Sequence, residues 1–262
     1  MTPFSQLLAS VTLDGTVLTA RVTDDWRQGR TLYGGLSAAL CVAAALRVFP
    51  ALPPLRSAQF VFVGPASGTV HATPMLLRRG KSTVFVSIDL TGDDGLATRA
   101  LLCFGAARAS ALAHGGLSMV VVPPPEDCAA FFVAGGAPNF AQHFDSRLAL
   151  GARPVSAAAD PDMALWLRHR DAVAGHGTVA LVALADAAPP AAMALFTAPA
   201  PISTMTWMVD ILADAPADDD GWRLMRSTAE TVADGYSSQA MTIWTRAGLA
   251  LLAARQCVAI FA

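Results

Sequence analysis

The chain of 262 residues is long enough to form one large domain or two ordinary ones. Apolar residues make up 54% of it and charged residues only 15%, which predicts a large, well-buried core. The net charge of −2 argues against the basic surfaces that bind nucleic acids, so we expect no nucleic-acid partner.

Two further absences in the sequence narrow the possible classes of protein. The N-terminus has no basic start followed by a long apolar run, so we expect neither a signal peptide nor a membrane span. The four cysteines and five histidines are scattered without metal-ligand spacing. These features predict a cytoplasmic protein with free thiols and no metal site.

The first half of the chain is predicted to contain one helix and five strands. The helix lies within residues 30–50 and opens at Gly34-Gly35. No charged residue occurs in 32–46 and apolar side chains cover every face, which is typical of a helix buried on all sides. Segments rich in Val, Thr, Leu and Phe predict antiparallel strands at 15–23, 57–64, 68–80, 82–92 and 95–108.

A change of composition near the middle of the chain predicts a boundary between two domains. Residues 113–136 contain two glycine pairs and a run of prolines, which is typical of an extended connector. We therefore predict an N-terminal domain at 1–112 and a C-terminal domain at 137–262.

The second half of the chain repeats the pattern of the first. Residues 176–189 align with 33–46 without a gap, and residues 235–261 align with 80–105. Such internal repeats indicate a duplicated structural unit. We therefore predict an α+β fold of two tandem hotdog units, each with a long helix wrapped by a curved antiparallel sheet.

Two polar residues break this repeat. Asp186 stands where the first half has Ala43. Gln256, counted eight residues from the turn glycine, stands where the first half has Cys103. The asymmetry predicts one functional site per chain rather than two.

Three polar side chains of the second half are candidates for the activation of a water molecule. Asp186 lies in an apolar stretch, where burial can tune a carboxylate toward a general base, although it also suits the end of a helix before two prolines. Thr204 and Gln256 lie in predicted strands and are suited to orient the same water. Each has a simpler interpretation, because threonine favours strands and a glutamine can tie a strand edge to a loop.

The start of the first helix offers a second component of a site. The backbone N–H groups of Gly34 and Gly35 have no partner within a helix and are suited to stabilise an oxyanion. Two glycines also suit a tight turn into a helix. We expect Tyr33 to line the mouth of the site or to cap the helix.

A basic turn follows one of the predicted strands. It contains Arg78, Arg79 and Lys81 around a glycine. Many such turns are only solvated, but guanidinium groups also bind phosphates. We expect this turn to contact a phosphate group of the substrate.

Several short motifs occur in a characteristic order along the chain. In the first half they are GRTLYGG (29–35), FVFVGPASG (60–68) and LLRRGKS (76–82). In the second half they are PNFAQHFDSRL (138–148), WLRHRD (166–171), LADAAPP (184–190), STMTW (203–207), DGW (220–222), ADGYSS (233–238) and AARQCV (253–258). Their order and spacing resemble those of the type II acyl-CoA thioesterases, a family of double-hotdog proteins.

This resemblance implies a catalytic set and an assembly. Asp186, Thr204 and Gln256 correspond to the acid, hydroxyl and amide with which the family activates water, and Gly34-Gly35 to its oxyanion site. Ser203 replaces Thr204 if the strand slips by one residue, since neighbouring strand residues face opposite sides. The resemblance further implies a homodimer or higher homo-oligomer and no cofactor.

The predicted function is the hydrolysis of acyl-CoA or a related acyl thioester to a free acid and a thiol. Three alternatives remain open: a non-catalytic acyl-thioester-binding protein, an enoyl-thioester hydratase and a paralogue that only oligomerises. A hydratase would need a close His–Asp pair, for which the nearest candidates are His176 and Asp186.

Overall fold

The computed structural model describes residues 1–133, 136–216 and 219–261, and Gly135 of the predicted connector lies outside them. The helices of this part are α1 (Phe4–Ser10), α2 (Gly34–Val48) and α3 (Thr178–Leu184). The strands of the first half are β1 (Thr12–Asp14), β2 (Val17–Arg21), β3 (Arg27–Gln28), β4 (Thr31–Leu32), β5 (Leu55–Phe62), β6 (Thr69–Arg79), β7 (Thr83–Gly92) and β8 (Gly95–Gly105). Those of the second half are β9 (Ala129–Ala130), β10 (Phe144–Leu150), β11 (Asp162–His169), β12 (Ile202–Ile211), β13 (Arg223–Ala233), β14 (Tyr236–Thr245) and β15 (Ala250–Ile260).

Thirteen of these strands form one antiparallel sheet in the described part of the chain, while β3 and β4 pair separately. The strand order is β1-β2-β6-β7-β8-β5-β12-β15-β14-β13-β11-β10-β9. The order β2-β6-β7-β8-β5 of the first half recurs as β11-β13-β14-β15-β12 in the second, so both halves have one topology. They join where β5 pairs with β12, with Phe60 opposite Trp207.

The long helix α2 lies against the inward face of the sheet, where it contacts β6, β7 and β8. All eleven residues from Gly35 to Ala45 are buried. Buried and half-buried residues alternate along β7, so its inward apolar side chains cover the helix. The helix ends at Val48, because Pro50 has no N–H to continue it. The predicted helix buried on all sides is confirmed.

The second helix is much shorter than the repeat predicts. Helix α3 has seven residues against fifteen in α2, so the prediction of two long helices is wrong for the second half. Pro189 and Pro190 account for the difference, since proline cannot donate to the preceding turn and disfavours a helical residue before it. The chain leaves the helix after Leu184 and carries Asp186 into the following turn.

Helices α2 and α3 approach each other closely. The hydroxyl of Tyr33, just before α2, donates to the carbonyl oxygen of Ala183 at 2.8 Å. A Cβ at Gly35 would lie 2.6 Å from the same oxygen, so this approach requires glycine. The packing places the end of α3 beside the N-terminus of α2.

The predicted connector is extended. Residues 106–124 contain neither helix nor strand. Trp166 and Trp244 anchor this segment by donating from their indole N–H groups to the carbonyl oxygens of Pro123 and Leu117, at 2.9 and 2.8 Å. The domain limits at residues 112 and 136 stay a prediction.

Candidate active site

Asp186 lies just beyond α3 and faces the N-terminus of α2. Its side chain is half-buried, and its Oδ2 lies 2.7 Å from the position that a Cβ would take at Gly34. The ring of Phe62, at the end of β5, lies 3.4 Å from that same position. The carboxylate therefore occupies a narrow gap between helix and sheet, with partial access to solvent.

The surroundings of Asp186 bring the pKa of its carboxyl group close to neutral pH. Burial raises the pKa of Asp186 from 3.8 to about 7. The amide of Gln256 and the backbone N–H of Gly35 act in the opposite direction, because both stabilise the ionised form. The positive end of the α2 dipole has the same effect. The carboxyl group can thus exchange a proton near neutral pH, as a general base must.

Two buried glutamines connect Asp186 to the sheet. Nε2 of Gln256 donates to Oδ1 of Asp186 at 2.8 Å. On the neighbouring strand, Nε2 of Gln239 donates to Oε1 of Gln256 at 2.7 Å. The backbone N–H of Ala191 donates to Oε1 of Gln239 at 3.0 Å. Sequence reasoning missed Gln239, because it follows two serines at the start of its strand and only the pairing with Gln256 shows that it faces inward.

The strand register places Thr204 on the same face of the sheet as Gln256. Thr204 is opposite Val258, which is two residues from Gln256 on β15, so all three side chains point to one side. Ser203 precedes Thr204 and faces the other side, where it is exposed. The structure thus brings Asp186 and Gln256 into direct contact and places Thr204 one strand away.

The two glycines at the start of α2 differ in their surroundings. The N–H of Gly35 faces the Asp186 carboxylate and lowers its pKa. Gly34 is half-exposed beside the same carboxylate. Because Gly34 is the first residue of the helix, its N–H has no partner within the helix. The two glycines therefore differ in what their N–H groups face, and a role of either as an oxyanion donor stays a prediction.

Two models of the acyl-CoA thioesterase family match the chain. The N-terminal domain model matches residues 22–105, and the C-terminal domain model matches residues 125–260, which is more than half of the chain on its own. The chain belongs to the acyl-CoA thioesterase family. The predicted thioesterase is confirmed by this match.

Solved structures of hotdog proteins resemble this thioesterase over nearly its whole length. A hotdog-fold protein of unknown function from Alicyclobacillus acidocaldarius is 25% identical, with a TM-score of 0.87 over 99% of this chain and 98% of that one. Acyl-CoA thioesterase II TesB2 of Mycobacterium marinum is 17% identical, with a TM-score of 0.75 over 97% of both chains. A TesB protein of Mycobacterium avium subs paratuberculosis is 15% identical, with a TM-score of 0.78 over 98% of both. No curated protein sequence matches the chain.

Tyr33 does not line the mouth of the thioesterase site. It is fully buried, and its ring stacks on Phe140 with the centroids 4.0 Å apart. Its hydroxyl is bound to Ala183, as described above. Burial and the charge of Asp186 raise the pKa of Tyr33. Its ring and hydroxyl are engaged in the core beneath the site, so of the two expected roles the structure shows the second, since Tyr33 is the N-cap residue of α2.

The strand register corrects the position that Gln256 occupies in the repeat. In the first half Val84 pairs with Phe104, and in the second half Gln239 pairs with Gln256. Since Gln239 aligns with Val84 in sequence, Gln256 corresponds to Phe104 and not to Cys103. The two hairpins turn differently, so a count from the turn glycine is wrong by one residue.

The basic residues of the predicted phosphate-binding turn lie on the surface. Arg78 and Arg79 are the last residues of β6, and Lys81 follows in the turn to β7. All three are exposed. A contact of this turn with substrate stays a prediction.

His176 is engaged away from Asp186. Its Nδ1 lies 3.4 Å from Oδ1 of Asp219 and 3.4 Å from a guanidinium nitrogen of Arg223. It precedes the start of α3, whereas Asp186 follows its end. The close His–Asp pair that a hydratase needs is therefore not formed by these two residues.

Neither a metal site nor a membrane helix is found within residues 1–133, 136–216 and 219–261. No three His, Cys, Asp or Glu residues of this part lie together in a group that could hold a metal ion. None of its helices is long and apolar enough to cross a membrane.

Proposed function

We propose that this thioesterase hydrolyses acyl-CoA, or a closely related acyl thioester, in the cytoplasm with Asp186 as the general base. The position of Asp186 carries the proposal. It is a half-buried carboxylate beside the N-terminus of α2, and its pKa is raised to about 7. Gln256, on β15, donates a hydrogen bond to it. A base of this kind can take a proton from water at neutral pH.

Gln256 and Thr204 are proposed to orient the attacking water. Because Oε1 of Gln256 accepts from Gln239, its amide presents only N–H groups to the site. The water would accept from Nε2 of Gln256 and donate one hydrogen to Asp186. The hydroxyl of Thr204, on the same face, would hold its second hydrogen. One lone pair of the water then remains for attack.

The proposed reaction balances without a cofactor. The water oxygen bonds to the thioester carbonyl carbon while its proton passes to Asp186. The carbonyl oxygen becomes an oxyanion, which the N–H of Gly34 stabilises. Collapse of this intermediate breaks the carbon–sulfur bond, and the leaving thiolate takes the proton from Asp186. The products are a free acid and a thiol, and the carboxylate is regenerated.

Two parts of the chain are proposed to bind the substrate, one beside the thioester and one at the far end of β6. The ring of Phe62 beside Gly34 offers apolar contact to the chain next to the thioester. The exposed Arg78, Arg79 and Lys81 would bind phosphate groups of coenzyme A.

We also propose that the thioesterase forms a homodimer or higher homo-oligomer. Val61, Met75 and Met208 are exposed large apolar side chains on the outward face of the sheet. An outward apolar face of this kind is typical of a contact between subunits. Sedimentation equilibrium should give a mass of at least twice the chain, and a monomer mass would contradict the proposal.

The decisive test of the activity is the release of free thiol. The purified protein is incubated with acyl-CoAs of several chain lengths and with an enoyl-CoA, and thiol and acid are measured. A thioesterase releases one thiol for each acid formed. A binding protein would retain acyl-CoA without release, and a hydratase would consume enoyl-CoA with its thioester intact. Either of these two results contradicts the proposed function.

A further inference from the structure

The second half of the chain has two amides where the first half has an apolar cross-strand pair. In the first half the inward pair is Val84 and Phe104, both buried. The equivalent inward pair in the second half is Gln239 and Gln256, with 1% and 4% of their surface exposed. A polar residue in such a position requires hydrogen bonds, because an unpaired buried amide is destabilising. The change therefore involves Gln239 as much as Gln256.

Gln239 determines which end of the Gln256 amide faces the carboxylate. Its Oε1 accepts from the N–H of Ala191, so its Nε2 must point the other way, toward Gln256. An N–H donor at that distance requires the oxygen of Gln256, and this leaves Nε2 of Gln256 for Asp186. If the Gln256 amide were reversed, its Nε2 would face Nε2 of Gln239, which is also a donor, and its Oε1 would face the Asp186 carboxylate, which is also an acceptor.

Both ends of this chain of hydrogen bonds are attached to one short segment. Asp186 is five residues before Ala191, and the two prolines lie between them. Ala191 begins a short 3-10 helix, Ala191–Leu195, that packs on β13. The same backbone segment therefore carries the Asp186 carboxylate and, through the N–H of Ala191, holds the Gln239 amide that orients Gln256.

We propose that Gln239 is a positioning residue that acts through Gln256, holding its Nε2 toward Asp186 and the attacking water. This inference rests on the proposed function. The other possible role of Gln239 is purely structural, as a link between β14 and the segment at Ala191. The two roles differ in whether its effect depends on Gln256.

A double-mutant cycle separates the two roles. The variants are Gln239→Met, Gln256→Met and both together, since methionine has a similar length and cannot donate. We expect Gln239→Met to lower kcat by about tenfold or more with little change in KM, because Gln256 is no longer held in one orientation. The double variant should match Gln256→Met within about twofold. Effects that multiply would show a structural role and overturn the proposal.

The titration of Asp186 gives a second readout that does not require activity. Carbon-13 NMR follows its carboxyl carbon against pH in the same four proteins. Tyr33, whose pKa responds to the Asp186 charge, titrates far higher and does not interfere, and Gly34, Phe62 and Gln256 carry no charge. Gln239→Met and Gln256→Met should each raise the Asp186 pKa, and the double variant should raise it no further. An unchanged titration in Gln239→Met would overturn the proposal.

Two additional variants provide a control and a substitute for Gln239→Met. Gln6→Met changes an exposed amide on α1, away from the site and from the proposed subunit contact, and should alter neither kcat nor the titration. Gln239→Asn keeps an amide but is too short to bridge Ala191 and Gln256, so it should reproduce the loss if Gln239→Met does not fold. If the wild type releases no thiol, the proposed function fails, while the titration still decides the role of Gln239.

Discussion

An added Cβ at Gly34 would lie 2.7 Å from Oδ2 of Asp186, closer than such atoms approach in proteins. A Gly34→Ala variant must therefore displace the carboxylate from its place beside the helix. We expect kcat to fall by about 100-fold, since misplacing a catalytic group by about 1 Å has effects of this size. The fold should persist, because Gly34 is half-exposed at the end of a helix.

Gly177 provides a matched control for this variant. It aligns with Gly34 in the repeat and precedes α3, but a Cβ there would have no atom within 4 Å. Gly177→Ala should leave kcat within about twofold of the wild type, well below the effect of misplacing a catalytic group. Equal activity of the two variants would show that the Asp186 carboxylate need not lie where the structure places it.

The proposed base predicts the pH dependence of the reaction. Asp186 is active when ionised, and its pKa is raised to about 7. The value of kcat/KM should therefore rise about tenfold per pH unit below neutrality and level off above about 7. A midpoint near 3.8, the value of an unperturbed aspartate, would contradict the burial of this group.

The same shift predicts how stability responds to pH. The folded state binds the Asp186 proton more tightly than the unfolded chain does. This tighter binding stabilises the fold fully below about pH 3.8, and the stabilisation is lost as the pH rises to about 7. Asp186→Asn has no such loss. The free energy of unfolding of this variant, relative to wild type, should increase from pH 5 to pH 7 and then stay level in urea titrations. A difference that does not change with pH would argue against the raised pKa.

The strand register predicts which hydroxyl serves the site. Thr204 shares the face of Gln256, whereas Ser203 faces outward. Thr204→Val keeps the side-chain shape and removes one hydrogen bond to the water, so kcat should fall about tenfold. Ser203→Ala should have no effect on steady-state kinetics. The reverse result would place the strand one residue out of the register seen here.

The fold was largely predictable because its main signals are local. The helix at α2 is apolar on every face, and the strands β5–β8 show the composition of strands in the sequence itself. The length of α3 was not predictable from the repeat, because two prolines override the alignment with α2. The burial of Tyr33 was missed because it depends on Phe140, more than a hundred residues away.

The site was predictable where a polar residue interrupts an apolar stretch. Asp186 and Gln256 stand out in this way, and the structure joins them by a hydrogen bond. Gln239 follows two serines at the start of a strand, where a polar run suggests solvent. Only the pairing of β14 with β15 shows that it faces inward. The face of Thr204 depends on a bulge that follows it, which the sequence does not reveal.

A single turnover in water labelled with oxygen-18, with enzyme in excess over acyl-CoA, shows which oxygen atom attacks the thioester. If Asp186 activates water as a base, the label enters the released acid and none enters the protein. If Asp186 instead attacks the thioester and water opens the resulting anhydride at the protein carbonyl, the label appears in Asp186. Mass spectrometry should find one labelled oxygen in the acid and an unlabelled Asp186. A labelled Asp186 would show that its carboxylate attacks the thioester and is not the general base.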